Sequence, residues 1–167
     1  MVINLTQPMS DPGLPVFRAI SSHLTGYSEV DLEGTGMLTD YFTTLMKEQD
    51  HEGIRLFLLK AEEILRLHLS DAIEPAIIRH FIELPATASR PNTPFDEISY
   101  QGLAQRITIL WYTGVWTTMN WLGKKSQPDR TAVISARAYQ QGLIWLTAQT
   151  HPAGAKQPGY GSWSRKP

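Results

Sequence analysis

The stretch "HEGIRLFLLKAEEILRLH", residues 51 to 68, carries the clearest helical pattern in the chain. Its apolar side chains recur every three or four residues, while Glu62, Glu63 and Arg66 fall on the opposite side. This spacing is that of an amphipathic helix, which buries one face and leaves the other in water. The stretch therefore predicts a helix packed against a core, made by Ile54, Phe57, Leu58, Ala61, Ile64 and Leu65.

Similar stripes lie on both sides of this segment. On the N-terminal side they predict one helix before Gly26 and a second whose N-cap is Asp31. On the C-terminal side they predict a helix with Pro75 in its first turn, where the missing N–H costs nothing. The residues of the three stripes are Phe17, Ile20 and Leu24, then Leu38, Tyr41, Phe42, Leu45 and Met46, and then Ile73, Ile77, Phe81 and Leu84.

The second half of the chain is divided by turn-forming segments. Three prolines predict an exposed loop from Leu84 to Phe95. A helix is expected from Leu103 up to the polar segment Gly123 to Arg130, and a last helix over about Thr131 to Thr150. No strand-like alternation is evident, so we predict an all-α fold. The expected architecture is one domain, residues 1–167, as a compact bundle of five to six helices, with an extended Pro/Gly-rich C-terminal tail from residue 151.

Composition excludes several classes of partner and chemistry. The formal net charge is -1 over 167 residues, which provides no basic surface for nucleic acid. The chain has no cysteine, so disulfides, thiolate metal sites and cysteine nucleophiles are excluded. No apolar run approaches the roughly 20 residues of a membrane-spanning helix, so direct membrane insertion is not expected. The first residues, "MVINLTQPMSDPGLP", show no export signal, which leaves both a mature periplasmic chain and a cytoplasmic chain open.

Metal and catalytic motifs are sparse. A di-metal site in a bundle needs two Glu-x-x-His pairs, but only Glu48 and His51 form one, and a solvated turn is favoured there. His68 and His80, with Glu83 nearby, leave a mononuclear metal enzyme as an alternative. No nucleophile elbow and no dinucleotide-binding glycine motif is present. We therefore predict no catalytic residue, no metal ligand and no cofactor in this chain.

Aromatic residues concentrate in the last third of the chain. Helical spacing favours the core for Trp111 and Trp145, whereas Trp163 lies in a Gly/Pro/Ser-rich tail with no helix to bury it. Such a side chain is expected to pack on its own domain or on a partner. We predict partner contact for Tyr112, Trp116, Tyr160 and Trp163, with Trp121 as a further candidate, and a core motif of Trp111, Gly114, Tyr139 and Trp145.

Three blocks in the last third carry a family resemblance. They are "ITILWYTG" (residues 107–114), "AYQQGLIW" (138–145) and "PGYGSW" (158–163), the last in a tail that ends with Pro167. In this order they resemble the small, or gamma, subunit of bacterial membrane-bound FAD-dependent sugar and polyol dehydrogenases, such as sorbitol, fructose, gluconate and glucose dehydrogenases. The motif-bearing resemblance covers residues 103–167. The N-terminal half matches only in its helical character, in "LTG" (24–26) and in "DL" (31–32).

The resemblance implies a non-catalytic accessory subunit. In that family the large subunit holds FAD, a cytochrome subunit can pass electrons onward, and the small subunit binds the large one and aids its maturation and export. This chain differs from the family in two features, since it has no twin-arginine signal and no tail cysteine, and the latter excludes a covalent link to a partner. A free-standing helical protein that binds a small ligand remains the alternative from the residues alone.

Overall fold

The computed structural model describes residues 13–47, 51–67, 70–83, 97–117 and 131–152. Five of its described helices have eight residues or more, and the predicted all-α bundle is confirmed. A small two-stranded sheet, which the sequence pattern did not predict, accompanies them. The elements in chain order are α1 (Gly13–Thr25), α2 (Glu29–Gly34), α3 (Leu38–Met46), α4 (His51–Leu67), α5 (Ser70–Ile77), a π-helical turn (Ile78–Ile82), α6 (Glu97–Thr113), β1 (Val115–Thr117), β2 (Thr131–Val133), α7 (Ala136–Gln140) and α8 (Ile144–Thr147).

Helix α1 occupies the centre of the bundle and packs against α2, α3, α4 and α6. Phe17 and Ile20 are fully buried, as the predicted stripe requires. The ring of Phe17 lies 5.6 Å from that of Phe42 on α3 and 6.4 Å from that of Trp111 on α6, measured between centroids. Through these rings α1 joins the N-terminal helices to the C-terminal third.

Helix α4 confirms the amphipathic helix predicted over residues 51–68. Ile54, Phe57 and Ala61 are fully buried. The opposite side carries two ion pairs, Lys60 with Glu63 at 3.1 Å and Arg66 with Glu62 at 3.3 Å. Such exposed pairs contribute little, so apolar burial is the main reason that this helix packs as it does.

The prediction of Asp31 as an N-cap is wrong, because Ser28 holds that position. The Ser28 hydroxyl accepts a hydrogen bond from the backbone N–H of Asp31 at 3.1 Å, and the Asp31 carboxylate accepts one from the N–H of Ser28 at 3.2 Å. This reciprocal capping box starts the short helix α2, which the sequence pattern did not separate from α3. Helix α3 begins only at Leu38, after Gly36 with its positive φ of 66°.

The placement of Pro75 in a first turn is also wrong. Helix α5 begins at Ser70, so Pro75 lies inside it and cannot donate to the carbonyl of Asp71. The helix then widens into the π-helical turn, in which the N–H of Glu83 bonds the carbonyl of Ile78 at 2.8 Å. The predicted stripe still reaches the core, with Ile77 and Phe81 buried and the ring of Phe81 4.8 Å from that of Phe57.

Two further corrections concern the C-terminal third. Helix α6 ends at Thr113, and residues 115–117 form β1 instead of continuing the helix. The predicted last helix, Thr131 to Thr150, is replaced by β2 and the short helices α7 and α8. Strand β1 pairs with β2 in antiparallel register, with Trp116 opposite Ala132. The predicted loop from Leu84 to Phe95, the polar segment 123–130 and the tail from residue 153 lie outside the described residues.

Candidate partner-binding site

The first two blocks of the resemblance, residues 107–114 and 138–145, pack against each other through their glycines. A Cβ atom built on Gly114 would lie 2.5 Å from the carbonyl carbon and oxygen of Ala138. One built on Gly142 would lie 2.7 Å from the carbonyl oxygen of Tyr112. The backbones thus approach more closely than any side chain would allow, which is a role for glycine. We call residues 107–114 and 138–145 the paired-block unit.

Two backbone hydrogen bonds fix this arrangement. The N–H of Leu143 donates to the carbonyl of Trp111 at 3.0 Å, and the N–H of Ile134 donates to the carbonyl of Gly114 at 3.0 Å. Trp111 and Gly114 belong to the last turn of α6 and its C-terminal cap, where carbonyls have no partner within the helix. Leu143 of the second block and Ile134, which follows β2, therefore satisfy two carbonyls at the end of α6.

Trp111 anchors the paired-block unit in the core. Its side chain is fully buried, edge-on to the ring of Tyr41 with centroids 4.8 Å apart. The Tyr41 hydroxyl donates to the carbonyl of Ala138 at 3.5 Å. Burial, with a smaller contribution from the Asp40 carboxylate, raises the pKa of Tyr41 well above its ordinary value. The phenol stays protonated at neutral pH, so its role here is packing and donation rather than proton transfer.

Tyr112 is half-buried and makes contacts within its own chain. Its hydroxyl donates to the carbonyl of Thr25 at 3.0 Å, at the C-terminal end of α1. Its ring lies edge-on to Tyr27, whose hydroxyl is 3.0 Å from the Thr147 hydroxyl on α8. This chain of contacts joins the end of α1 to α6 and α8. Only the accessible part of the Tyr112 side chain is free to contact a partner.

The other predicted site residues differ in how much of their surface is exposed. Trp116 is buried on β1, with 6% of its surface exposed, so it offers little area to another protein. Tyr139 and Trp145 are half-buried, their rings edge-to-face at 5.2 Å, and the Trp145 indole N–H donates to the Tyr139 carbonyl at 2.7 Å. Partner contact by Tyr112 and Trp116 stays a prediction. Tyr160, Trp163 and Trp121 lie outside the described residues.

Three charged groups of the first two helices form ion pairs. Arg18 on α1 contacts Glu29 and Glu33 of α2, each at 2.5 Å. Hydrogen bonds to Glu33 and then to Glu29 raise the pKa of the Arg18 guanidinium above its already high ordinary value. These exposed pairs hold α2 against α1 and do not form a charged binding site.

The described residues do not provide the ligand arrangement that the alternative of a metal site requires. Within the described ranges, no group of three His, Asp or Glu side chains is placed to hold a metal ion. His80 is half-buried on the π-helical turn, and Glu83 follows it. His68 and Glu48 lie outside the described residues. In the same ranges, no helix combines the length and apolar character needed to span a membrane.

Comparison with protein-family models, curated proteins and solved structures finds no match for this chain. The likeness to dehydrogenase small subunits therefore depends on the three sequence blocks alone. What the structure adds is the spatial relation of the first two.

An exposed apolar surface that the sequence pattern missed lies on α8, beside the paired-block unit. Ile144 is 39% exposed and Leu146 is 62% exposed. In the predicted helix over residues 131–150, Leu143 and Leu146 would share one buried face, but a turn at residues 141–143 interrupts the helix, so Leu143 is buried and Leu146 is not. Gly142 was the available signal for this turn. The chain continues from α8 to Pro152, which is buried, and residues 153–167 follow.

Proposed function

We propose that this chain is the non-catalytic small subunit of a heteromeric FAD-dependent sugar or polyol dehydrogenase. In this role it binds the large flavoprotein subunit and assists its maturation and export to the periplasm. FAD and hydride transfer belong to the large subunit, and a cytochrome subunit is a further candidate partner. The chain itself contributes a protein-binding surface and no catalytic group.

The observation that carries the proposal is the packing of the paired-block unit. The two blocks are separated by residues 115–137, yet Gly114 and Gly142 each meet the backbone of the other block. Because both glycines are required by this contact, the two blocks form one three-dimensional element of this chain. The proposal is supported by this packing, since the blocks that carry the resemblance act as one structural unit here.

The exposed apolar residues of α8 supply a candidate contact surface for the large subunit. Ile144 and Leu146 stand on the element from which the chain leads, through Pro152, to the tail that carries Tyr160 and Trp163. Apolar and aromatic side chains in the desolvated centre of an interface carry most of its energy. We place the interface on α8 and the tail together, with the accessible part of Tyr112 adjoining it.

The experiment is capture of an FAD-containing large subunit encoded beside this chain and co-expressed with it. Leu146→Asp puts a charge into the proposed interface, while Val30→Asp makes the same kind of change at an apolar residue of α2 that is 75% exposed. We expect Leu146→Asp to reduce capture by about tenfold or more, since loss of a hot spot costs roughly 2 kcal/mol. The Val30→Asp control is expected to capture like the unmodified chain.

Two results would overturn the proposal. One is a purified chain that carries stoichiometric flavin or reduces a dye with a sugar or polyol by itself. The other is a neighbouring large flavoprotein that this chain does not capture, with or without the tail. Equal capture by Leu146→Asp and unmodified chains would instead remove α8 from the interface and leave the tail residue Trp163 to be tested by Trp163→Ala.

A further inference from the structure

The two outer edges of the small sheet differ in how their backbone groups are satisfied. In an antiparallel pair, hydrogen-bonded and non-hydrogen-bonded residue pairs alternate. The bond from the N–H of Ile134 to the carbonyl of Gly114 makes these two residues a hydrogen-bonded pair. By the observed register, Trp116 and Ala132 form the next such pair. The backbone groups of residues 115 and 117 on β1, and of 131 and 133 on β2, therefore point away from the sheet.

The outer edge of β1 is capped by side chains from α6. The N–H of Val115 donates to the hydroxyl of Thr113 at 3.2 Å. The carbonyl of Thr117 accepts from Nε of Arg106 at 3.2 Å. With these contacts in place, β1 presents neither a free N–H at its start nor a free carbonyl at its end to another strand.

Among the described residues, none caps the outer edge of β2 in this way. No backbone hydrogen bond beyond those to β1 reaches Thr131 or Val133 from the part of the chain that the structure describes. All three side chains of β2 are exposed, including Val133 at 50%. The strand contains no charge and no proline, which are two of the means by which an edge is protected from pairing, although its length of three residues also limits pairing.

We propose that β2 pairs with β2 of a second copy of this chain. The strand is self-complementary, because an antiparallel copy related by a twofold axis at Ala132 brings Thr131 opposite Val133 of the second copy. Each such pair exchanges two backbone hydrogen bonds, and the pair recurs on the other side of the axis. Ala132 meets its own copy at the axis, where its small side chain permits the close approach of a non-hydrogen-bonded pair.

The low charge of the strand and of the whole chain favours a second copy of this chain as the partner of β2. The strand is uncharged, and the whole chain has a formal net charge of only -1, so two copies repel each other little. The result is a four-stranded antiparallel sheet with β1 of each copy at its outer edges, where α6 already caps the Val115 N–H and the Thr117 carbonyl. Because the pairing involves only three residues per strand, the dimer forms with rising concentration and is not obligate.

The test is amide hydrogen exchange of the purified full-length chain over a concentration series, together with its mass in solution. Dimerisation should slow exchange of the Thr131 and Val133 amides at least tenfold at the highest concentration. The Ala132 amide, which faces β1, should be protected throughout. Val133→Pro removes one outward donor and leaves the bonds to β1 intact, so it should keep the chain monomeric.

Two variants keep the test interpretable. Val133→Lys retains the donor and places a charge on the edge, and it should also weaken the dimer. Val30→Lys makes the same change at the exposed valine on α2 and should dimerise normally. A chain that stays monomeric at every concentration overturns the proposal, and so does a dimer in which the amides of 131 and 133 remain unprotected. Neither result depends on the large subunit, so the proposed function is tested separately.

Discussion

Three glycines differ in whether backbone conformation or crowding demands them. Gly34 ends α2 without a positive φ, and a Cβ there meets nothing within 4 Å. Gly26 has a φ of 76° but open space around it. Gly114 has a φ of 69° and the backbone of Ala138 at 2.5 Å. Substitution by alanine at these positions thus separates the cost of a left-handed backbone conformation from the cost of steric crowding.

We predict a graded effect on the free energy of unfolding, measured by urea denaturation. Gly34→Ala should be neutral or stabilising by up to about 1 kcal/mol, because alanine restricts the unfolded chain. Gly26→Ala should cost about 1–2 kcal/mol for the left-handed conformation. Gly114→Ala should cost about 1–3 kcal/mol more than that, because the backbone of Ala138 must also move. Equal costs at Gly26 and Gly114 would show that the paired-block unit is looser than described.

The raised pKa of Tyr41 predicts that the free energy of unfolding depends on pH in the alkaline range. Burial raises the pKa of Tyr41 in the folded state above the ordinary value of 10.0 that applies in the unfolded chain. Below that value both states are protonated and pH has no effect through this group. Above it the unfolded state loses the proton first, so stability falls as pH rises toward the folded-state pKa.

The measurement compares the unmodified chain with Tyr41→Phe in urea denaturation at a series of pH values. Between neutral pH and about pH 9 the difference in free energy of unfolding should be constant. Above about pH 10 the unmodified chain should lose stability faster than Tyr41→Phe, because phenylalanine does not ionise. Parallel curves throughout the alkaline range would mean that Tyr41 can reach solvent or rearrange when it ionises.

At the scale of elements, local periodicity predicted the helices whose packing depends on one continuous stripe. Helices α1, α3 and α4 have most of their predicted apolar residues in the core, because three- and four-residue spacing places those side chains on one face. The exceptions are half-buried, namely Leu24, Leu38, Met46 and Leu65. The helix boundaries that turn geometry sets were harder to predict from the sequence. Ser28 rather than Asp31 caps α2, since either residue type suits an N-cap and only the fold selects between them.

The C-terminal third departed most from its sequence pattern. Residues 115–117 and 131–133 are too short to show alternation, and their pairing joins two segments that residues 118–130 separate in the sequence. Gly114 and Gly142 mark where the helices end, yet their requirement comes from contacts with a distant backbone. For the same reason, the sequence predicted Trp111 as core but missed the exposed apolar side chains of α8.

At the scale of the whole molecule, the described contacts tie the residues that follow α7 to the bundle. Pro152 is buried, and the N–H of Thr150 donates to the carbonyl of Trp145 at 2.9 Å. Leu143 is fully buried and bonds Trp111 through its backbone. Residues 143–152, which include α8, are therefore part of the bundle.

Two truncations test the contribution of residues 143–152 to the bundle and the role of the tail together. A chain ending at Pro152 should keep its helical circular dichroism and its melting transition, because the contacts of α8 remain. A chain ending at Gln141 should be strongly destabilised, since loss of a buried leucine side chain alone costs about 2–5 kcal/mol. If the tail binds the large subunit, the Pro152 truncation should also lose capture while it stays folded. If it melts like the Gln141 truncation and capture persists, the tail stabilises its own domain and the interface lies on the bundle.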